Sequence, residues 1–512
     1  MIRDRWIVAA LGVAGLLLGI PYALSAGFVY DDWALVSHQI LGIPNTGLYV
    51  GSGLQISLIV EGALFRTNAH LYYVTAATVF SLAVMGVFVA LRALRVDTIS
   101  ALIASALLLA FPAADSLRLW YTATMTAMLA VLLATLGIAA GSRWVERRGR
   151  SLAWLVASFL LWAGAVLCYF SVVVLMVLPL ALISFSPDRR KTLLNLAMNL
   201  AVGVLCLTLI LPTSLTAQYH ANWTLGAYPG RVWSLWTAGF EFLVVGPVSQ
   251  VTVLTLVLCV GAGLLTMIAL GVLGRVRQSP VGPPPTYIGR QLTAACFLLI
   301  GALASWSPLI PASPYYSPSS LGIGNRVNGF AQIFLLAAVG LLVTTLARVV
   351  GRLSRHPSVA AAITAGLAVL LLAVTLPQTV THADGYTDAA TIRSDILTTV
   401  GKLAPTAKAG TTVLLGDYDE YDTQNWIPVF ASTWDFNGAV QTMYHDATLS
   451  GYPVLSGFTC TPTGLRGLPN TQAIVPFDRL IVIDVGRRRV VDLTNRTCTV
   501  LLPGLLARPY PS

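Results

Sequence analysis

Up to about residue 376 the chain alternates long apolar runs with short polar segments. Eleven runs can each cross about 30 Å of hydrocarbon as a helix, if ragged ends and tilt are allowed. They centre on residues 7–26, 70–91, 97–112, 121–141, 152–168, 170–186, 192–213, 250–273, 291–310, 328–347 and 358–376. The weakest boundary is the slight polar dip at residues 168–171, between the fifth and sixth runs. We predict a polytopic α-helical membrane protein.

The basic residues between the runs predict the orientation of these spans. Eleven spans put seventeen basic residues before the tail on the side of the N-terminus, and only Arg66, Arg118, Arg231 and Arg326 on the other side. Basic residues concentrate in cytoplasmic loops of membrane proteins. The asymmetry therefore predicts a multi-pass protein of the plasma (inner) membrane with a cytoplasmic N-terminus and an extracytoplasmic tail.

The pattern changes after residue 376, so we divide the chain into a transmembrane domain (1–376) and an extracytoplasmic C-terminal domain (377–512). A helical pattern covers 389–403, and the runs 411–416, 480–484 and 489–493 are rich in β-branched residues, as strands are. The last two runs are compatible with a hairpin around Gly486. These features predict a small α/β domain.

Composition supports the membrane interpretation and argues against nucleic-acid binding. Hydrophobic residues make up 56% of the 512 residues, charged residues only 10%, and the mean hydropathy is +0.76. The net charge of +10 comes from the clusters between the apolar runs, which argues against nucleic-acid binding. Four of the six cysteines lie inside apolar runs, whereas Cys460 and Cys498 lie in the tail, where an oxidising compartment would permit a disulfide.

The strongest candidate for chemistry is the pair Asp31-Asp32, flanked by Tyr30 and Trp33, directly after the first apolar run. Carboxylates near a membrane are costly unless they serve a site, form a pair or face water. One of them could accept a proton from an attacking hydroxyl, because a neighbouring acid raises the pKa toward the working range. The alternative is a solvated turn that merely follows the first helix.

Further candidates lie in the outer loops. Asp115 and Arg118 either form a surface pair, as their spacing allows, or face the same cavity as Asp31. Tyr30 and His38 are weaker candidates for that cavity. Arg326 follows Gly324-Asn325 just before a late span, where a guanidinium is suited to clamp a phosphate. Its alternative role is to anchor the helix at the interface.

Several familiar motifs are missing from the sequence. It contains no Walker-type phosphate loop, no His-Glu-x-x-His and no Gly-x-Ser-x-Gly, and most apolar runs lack charge near their centres. Ion- and proton-coupled pumps use charged groups at the midplane, so their absence from most runs argues against a pump.

The layout resembles the GT-C superfamily of integral-membrane glycosyltransferases. The resemblance rests on many spans, on Tyr30-Asp31-Asp32-Trp33 after the first span, on Asp115 in the next outer loop, and on Gly324-Asn325-Arg326. It implies a donor sugar carried on a polyprenyl phosphate and an acceptor that is a cell-envelope glycan, lipid or protein. Arg326 would hold the phosphate and Asp31 would be the base.

Some roles stay open at this point. Asp32 would orient Asp31 or a metal ion, although the two acids could exchange roles, and a divalent cation is the one cofactor left open. A lipid-linked glycan transporter would have the same spans but a charged, water-filled path between helices. A membrane scaffold that only presents the tail to a partner would need no acidic pair.

Overall fold

The computed structural model describes residues 2–44, 52–147, 149–218, 228–246, 251–272, 285–307, 318–319, 322–354, 357–422, 427–455, 457–469 and 474–508. Its helices in chain order are α1 (Ile2–Ala23), α2 (Asp31–Leu41), α3 (Ser52–Phe65), α4 (Ala69–Ala93), α5 (Thr98–Ala110), α6 (Ser116–Leu119), α7 (Tyr121–Ala123), α8 (Leu129–Glu146), α9 (Leu152–Cys168), α10 (Val177–Ala181), α11 (Arg189–Gln218), α12 (Tyr228–Phe240), α13 (Val253–Val272), α14 (Pro285–Ala304), α15 (Gly329–Leu353), α16 (Pro357–Leu403), α17 (Thr433–Tyr444) and α18 (Cys498–Leu501). The strands are β1 (Thr412–Gly416), β2 (Ser450–Pro453), β3 (Thr459–Cys460), β4 (Gly464–Arg466), β5 (Val475–Pro476), β6 (Leu480–Asp484) and β7 (Arg489–Val491).

The prediction of a polytopic helical protein is confirmed. Among the described residues, seven helices are long and apolar enough to cross a membrane, and each coincides with a predicted span. The other four predicted spans coincide with shorter apolar helical segments: 98–110, 152–168, 170–185 and 253–266. The polar dip at 168–171 is a helix boundary, because α9 ends at Cys168 and a 3₁₀ segment begins at Phe170.

Small residues let the membrane helices pack closely. A side chain at Gly15 of α1 would lie 2.5 Å from the Ser81 hydroxyl of α4, and one at Gly340 of α15 would lie 2.4 Å from the Ser100 carbonyl of α5. Such contacts bring backbones together where lipid offers no hydrophobic driving force. Large apolar side chains such as Leu17 and Ile56 are exposed, as expected of surfaces that face lipid.

One helix crosses the proposed boundary between the two domains. α16 runs without interruption through 47 residues and includes Pro377, just beyond residue 376. At 1.5 Å per residue it is about 70 Å long, which exceeds the thickness of a bilayer. The division at residue 376 therefore marks a change of composition along a continuous helix.

The tail is a small α/β unit, as predicted. Its four-stranded sheet has the order β2-β1-β6-β7, in which β1 pairs in parallel with β2 and β6, and β6 pairs antiparallel with β7. The expected hairpin around Gly486 is therefore present. A second sheet, β3-β4-β5, is antiparallel, and a disulfide joins Cys460 at the end of β3 to Cys498 at the start of α18.

Candidate functional site

The site begins where the chain leaves the first membrane helix. α1 ends at Ala23, and Tyr30 turns the chain into α2 with a positive φ of 51°, a conformation that is uncommon for a residue other than glycine. Asp31 and Asp32 are consequently the first two residues of α2. Carboxylates are stabilised there by the positive end of the helix dipole.

The two carboxylates have different surroundings. Asp32 is fully buried, and both of its oxygens accept hydrogen bonds. One oxygen accepts from the Thr122 backbone N–H at 3.0 Å and from the Thr122 hydroxyl at 2.6 Å. The other accepts from the Val29 backbone N–H at 3.1 Å and from the Tyr73 hydroxyl at 2.8 Å.

This network changes the role expected for Asp32. With both oxygens committed to α4, α7 and the chain before α2, this carboxylate holds three elements together and has little capacity left for an acceptor or a metal ion. Asp31 is only partly buried, and one of its oxygens accepts a hydrogen bond from the indole N–H of Trp434 at 2.9 Å. Of the two acids, Asp31 therefore has the greater remaining capacity to accept a proton.

Arg326 is carried by a loop that is bound to the second outer loop. The loop forms a 3₁₀ turn, Ile323–Asn328. Within it the Asn325 side chain accepts from the Ser116 backbone N–H at 3.0 Å, and the Asn328 side chain donates to the Ala113 carbonyl at 2.7 Å. Two buried asparagines thus fix the position of the loop that carries the arginine.

Arg326 and Asp31 both contact one aromatic cluster, formed by Tyr30, Trp120 and Trp434. The guanidinium of Arg326 lies 4.6 Å from the ring centre of Trp120, a cation–π contact. Tyr30 packs edge-to-face between Trp120 and Trp434, with ring centres 6.0 and 5.3 Å apart. Burial raises the pKa of the Asp31 carboxyl, against the opposing effects of the Arg326 charge and the Trp434 hydrogen bond. The sequence-predicted acid and arginine are therefore brought together.

Asp115 and Arg118 form a pair, as their spacing allows, but the pair is buried and not on the surface. Their closest charged atoms are 3.0 Å apart, and both side chains are less than 5% exposed. Asp115 also contacts the Nδ1 atom of His382 on α16 at 2.8 Å. Arg118 donates to the carbonyls of Leu109 and Thr379. The pair consequently ties the second outer loop to α16.

The polar residues of α16 and α17 were missed by sequence reasoning. Arg393 of α16 is 2% exposed and donates to the Pro428 carbonyl, at the junction of the spans and the tail. Burial raises the pKa of the Asp435 carboxyl on α17, although the nearby Arg393 charge opposes this. Ser432, which precedes α17, is a residue type that often begins a helix, and is a local signal that could have indicated this element.

The predictions for His38 and for a divalent cation also concern this region. His38 lies in the last turn of α2, seven residues after Asp31, which is about 10 Å along the helix axis. For a metal ion, the described part of the chain contains no group of three or more His, Cys, Asp or Glu side chains arranged to hold one. The described residues therefore offer no candidate ligand set for the divalent cation that the sequence left open.

No family model matches the chain, and no curated protein matches it either. Among solved structures, the chain is similar to the oligosaccharyltransferase AglB of Archaeoglobus fulgidus in complex with an inhibitory peptide and a dolichol-phosphate (TM-score 0.47, 13% identity, 89% of this chain and 65% of that chain). It is also similar to ArnT of Cupriavidus metallidurans bound to undecaprenyl phosphate (TM-score 0.34, 16% identity, 87% and 85%). The chain spans less than two thirds of the oligosaccharyltransferase.

Proposed function

We propose that this chain is a membrane glycosyltransferase. It would move a sugar from a polyprenyl-phosphate donor to a hydroxyl of a cell-envelope glycan, lipid or protein on the outer face. The observation that carries the proposal is that the Asp31 carboxylate and the Arg326 guanidinium lie on one aromatic cluster, close enough for the charge of Arg326 to oppose the rise in the pKa of Asp31. A base beside a phosphate-binding cation is what this transfer requires.

The aromatic cluster also suits a sugar. Tyr30, Trp120 and Trp434 lie beside Asp31 and Arg326, and aromatic rings offer apolar faces to the C–H surface of a pyranose. Elsewhere, an apolar groove of about 570 Å³ runs between α13 and α16 and ends at Pro377 and Gln378. His382, which contacts Asp115, lies one helical turn further along α16. A polyprenyl chain would fit the chemistry of such a groove.

The reaction follows from these positions. The acceptor oxygen attacks the anomeric carbon and forms the new glycosidic bond, while the bond between that carbon and the phosphate oxygen breaks. The electron pair of the broken bond leaves with polyprenyl phosphate, whose negative charge Arg326 stabilises. The acceptor proton passes to Asp31. Asp31 and Arg326 supply a base and a positive charge for the phosphate, and the reaction needs no oxidant or reductant.

The test is to incubate the purified protein with a panel of polyprenyl-phosphate monosaccharides and to identify products by mass spectrometry. Water can stand in for the unknown acceptor, so that donor hydrolysis yields free sugar and polyprenyl phosphate. Asp31→Asn preserves shape and removes the base, so turnover should fall by about 10² to 10⁴ while donor binding survives.

The matched control is Asp478→Asn, which makes the same change at an exposed position of the tail and should turn over normally. Asp32→Asn should also lower turnover, through loss of the network that fixes α2. If neither Asp31→Asn nor Asp32→Asn affects transfer or hydrolysis, the proposed mechanism is wrong. If only Asp32→Asn abolishes it, the two acids exchange roles.

A further inference from the structure

The tail helix α17 lies directly on α2, the helix that carries Asp31. A Cβ atom at Gly438 of α17 would lie 2.5 Å from the carbonyl carbon and oxygen of Trp33, and 2.7 Å from the backbone nitrogen of Ala34. Only glycine permits this approach of two backbones. Trp434 lies four residues before Gly438, and residues four apart share a helix face. The contact that Gly438 allows therefore points Trp434 at the start of α2.

Trp434 contacts the two residues at that start. Its indole N–H donates to Asp31, and its ring packs on the edge of Tyr30 at an interplanar angle of 74°. Tyr30 is one of the few described non-glycine residues with a positive φ. Such a conformation persists where the surroundings hold it. The rings of Trp120 and Trp434, which come from distant parts of the chain, both pack against the ring of Tyr30. These contacts hold Tyr30 in its positive-φ conformation.

We propose that Trp434 is a positioning residue for Asp31, so that the C-terminal tail completes the active site. This inference rests on the proposed function. A free carboxylate rotates about its last torsion angle and offers either oxygen. The indole N–H occupies one oxygen of Asp31, which leaves the other to take the proton of the attacking hydroxyl. A base held in one orientation reacts more often from a productive geometry.

Other charged groups lie near Asp31 and contribute to the pH dependence of the hydrolysis rate. Arg326 faces it from the loop before α15, Asp435 from α17, and Asp32 follows it on α2. The Trp434 hydrogen bond lowers the pKa of Asp31, so its loss should raise that pKa. Because the base acts when ionised, the acid side of the rate profile should then move to higher pH.

The main experiment compares Trp434→Phe with the unmodified protein in donor hydrolysis, with a polyprenyl-phosphate monosaccharide as probe. Phenylalanine keeps an aromatic ring beside Tyr30 and removes only the N–H donor. We expect kcat to fall by about ten-fold, the loss typical of a hydrogen bond to a charged group, with an unchanged KM for the donor. The acid limb of the pH–rate profile should shift to higher pH. Met443→Leu, at the far end of α17, is the matched control and should change neither.

A second readout needs no turnover. In protein labelled with 5-fluorotryptophan, the ¹⁹F resonance lost in Trp434→Phe belongs to Trp434. That resonance should titrate with pH, and Asp31→Asn should abolish the titration whereas Asp435→Asn should preserve it. A titration that disappears with Asp435→Asn and survives Asp31→Asn would overturn the contact.

The two hypotheses fail in different ways. Full hydrolysis by Asp31→Asn would overturn the proposed function, whatever Trp434 does. If hydrolysis depends on Asp31 but Trp434→Phe leaves kcat unchanged, or lowers it without moving the pH profile, Trp434 has no positioning role and the transferase mechanism stands.

Discussion

Neighbouring residues can have unrelated roles, and Asp31 and Asp32 illustrate this. Successive side chains of a helix diverge by about 100°, so Asp31 faces the aromatic cluster and Asp32 faces the interior. The interior one meets four hydrogen-bond donors, two of them from Thr122. What distinguishes the two acids is therefore the set of elements that pack around α2.

The first prediction at this scale concerns Asp32 and pH. Burial raises the pKa of Asp32 from 3.8 to about 6, although four hydrogen bonds oppose the shift. The pKa of Asp32 is higher in the folded state than in the unfolded state, so protonation of Asp32 favours folding. Its contribution to the free energy of unfolding is complete below about pH 4 and is lost as the pH rises through about 6. The loss should approach about 3 kcal/mol, since one pKa unit corresponds to about 1.4 kcal/mol.

Unfolding of the detergent-solubilised protein, followed between pH 4 and 7, measures this effect. The stability of the unmodified protein relative to Asp32→Asn should decrease with rising pH, because the amide does not titrate. A difference that stays constant over this range would show that Asp32 does not titrate differently in the folded state.

The second residue-scale prediction concerns Arg326. Arg326→Lys keeps the positive charge but loses the planar pair of donors, so it should weaken binding of the polyprenyl-phosphate donor. Arg326→Ala should weaken it more, by about 2–5 kcal/mol if the contact is desolvated. Calorimetric titration with the donor lipid measures both, and Arg231→Ala, on the predicted outer face at α12, is the control. Unchanged affinity in both Arg326 variants would assign this arginine to anchoring.

At the scale of the element, α17 and α2 depend on one close contact. Gly438→Ala places a methyl group 2.5 Å from the Trp33 carbonyl, so α17 has to move away from α2. We expect a strong loss of donor hydrolysis and faster protease cleavage at the junction of tail and spans. Gly504→Ala is the matched control, because a Cβ there meets nothing within 4 Å. Equal activity of the two variants would show that the contact is unimportant.

Sequence patterns predicted elements whose signal is local. Length and apolarity indicated the spans, and the runs of β-branched residues indicated β1, β6 and β7. These patterns could not indicate where α17 packs, because α17 is short and contacts an element four hundred residues earlier in the chain. The asparagine contacts that join the loops of Asp115 and Arg326 are equally non-local, so the sequence suggested these residues without their partners.

At the scale of the whole molecule, the orientation of the spans can be tested directly. We expect the N-terminus in the cytoplasm and the tail outside, from the distribution of basic residues. In a background without the four unpaired cysteines, Lys408→Cys in the tail should react with a membrane-impermeant maleimide on intact cells. Arg147→Cys, after α8, should react only after the membrane is permeabilised. The opposite labelling pattern would reverse the assigned orientation.

The uninterrupted helix α16 constrains how this chain can vary. His382 contacts Asp115 and Arg393 contacts the tail, and both are fixed on one rigid rod. One residue inserted between them would advance everything that follows by about 1.5 Å and rotate it by about 100°. A substitution along this stretch changes the contacts of one side chain, whereas an insertion or deletion shifts the whole tail at once. The number of residues between His382 and Arg393 therefore matters in addition to their identity.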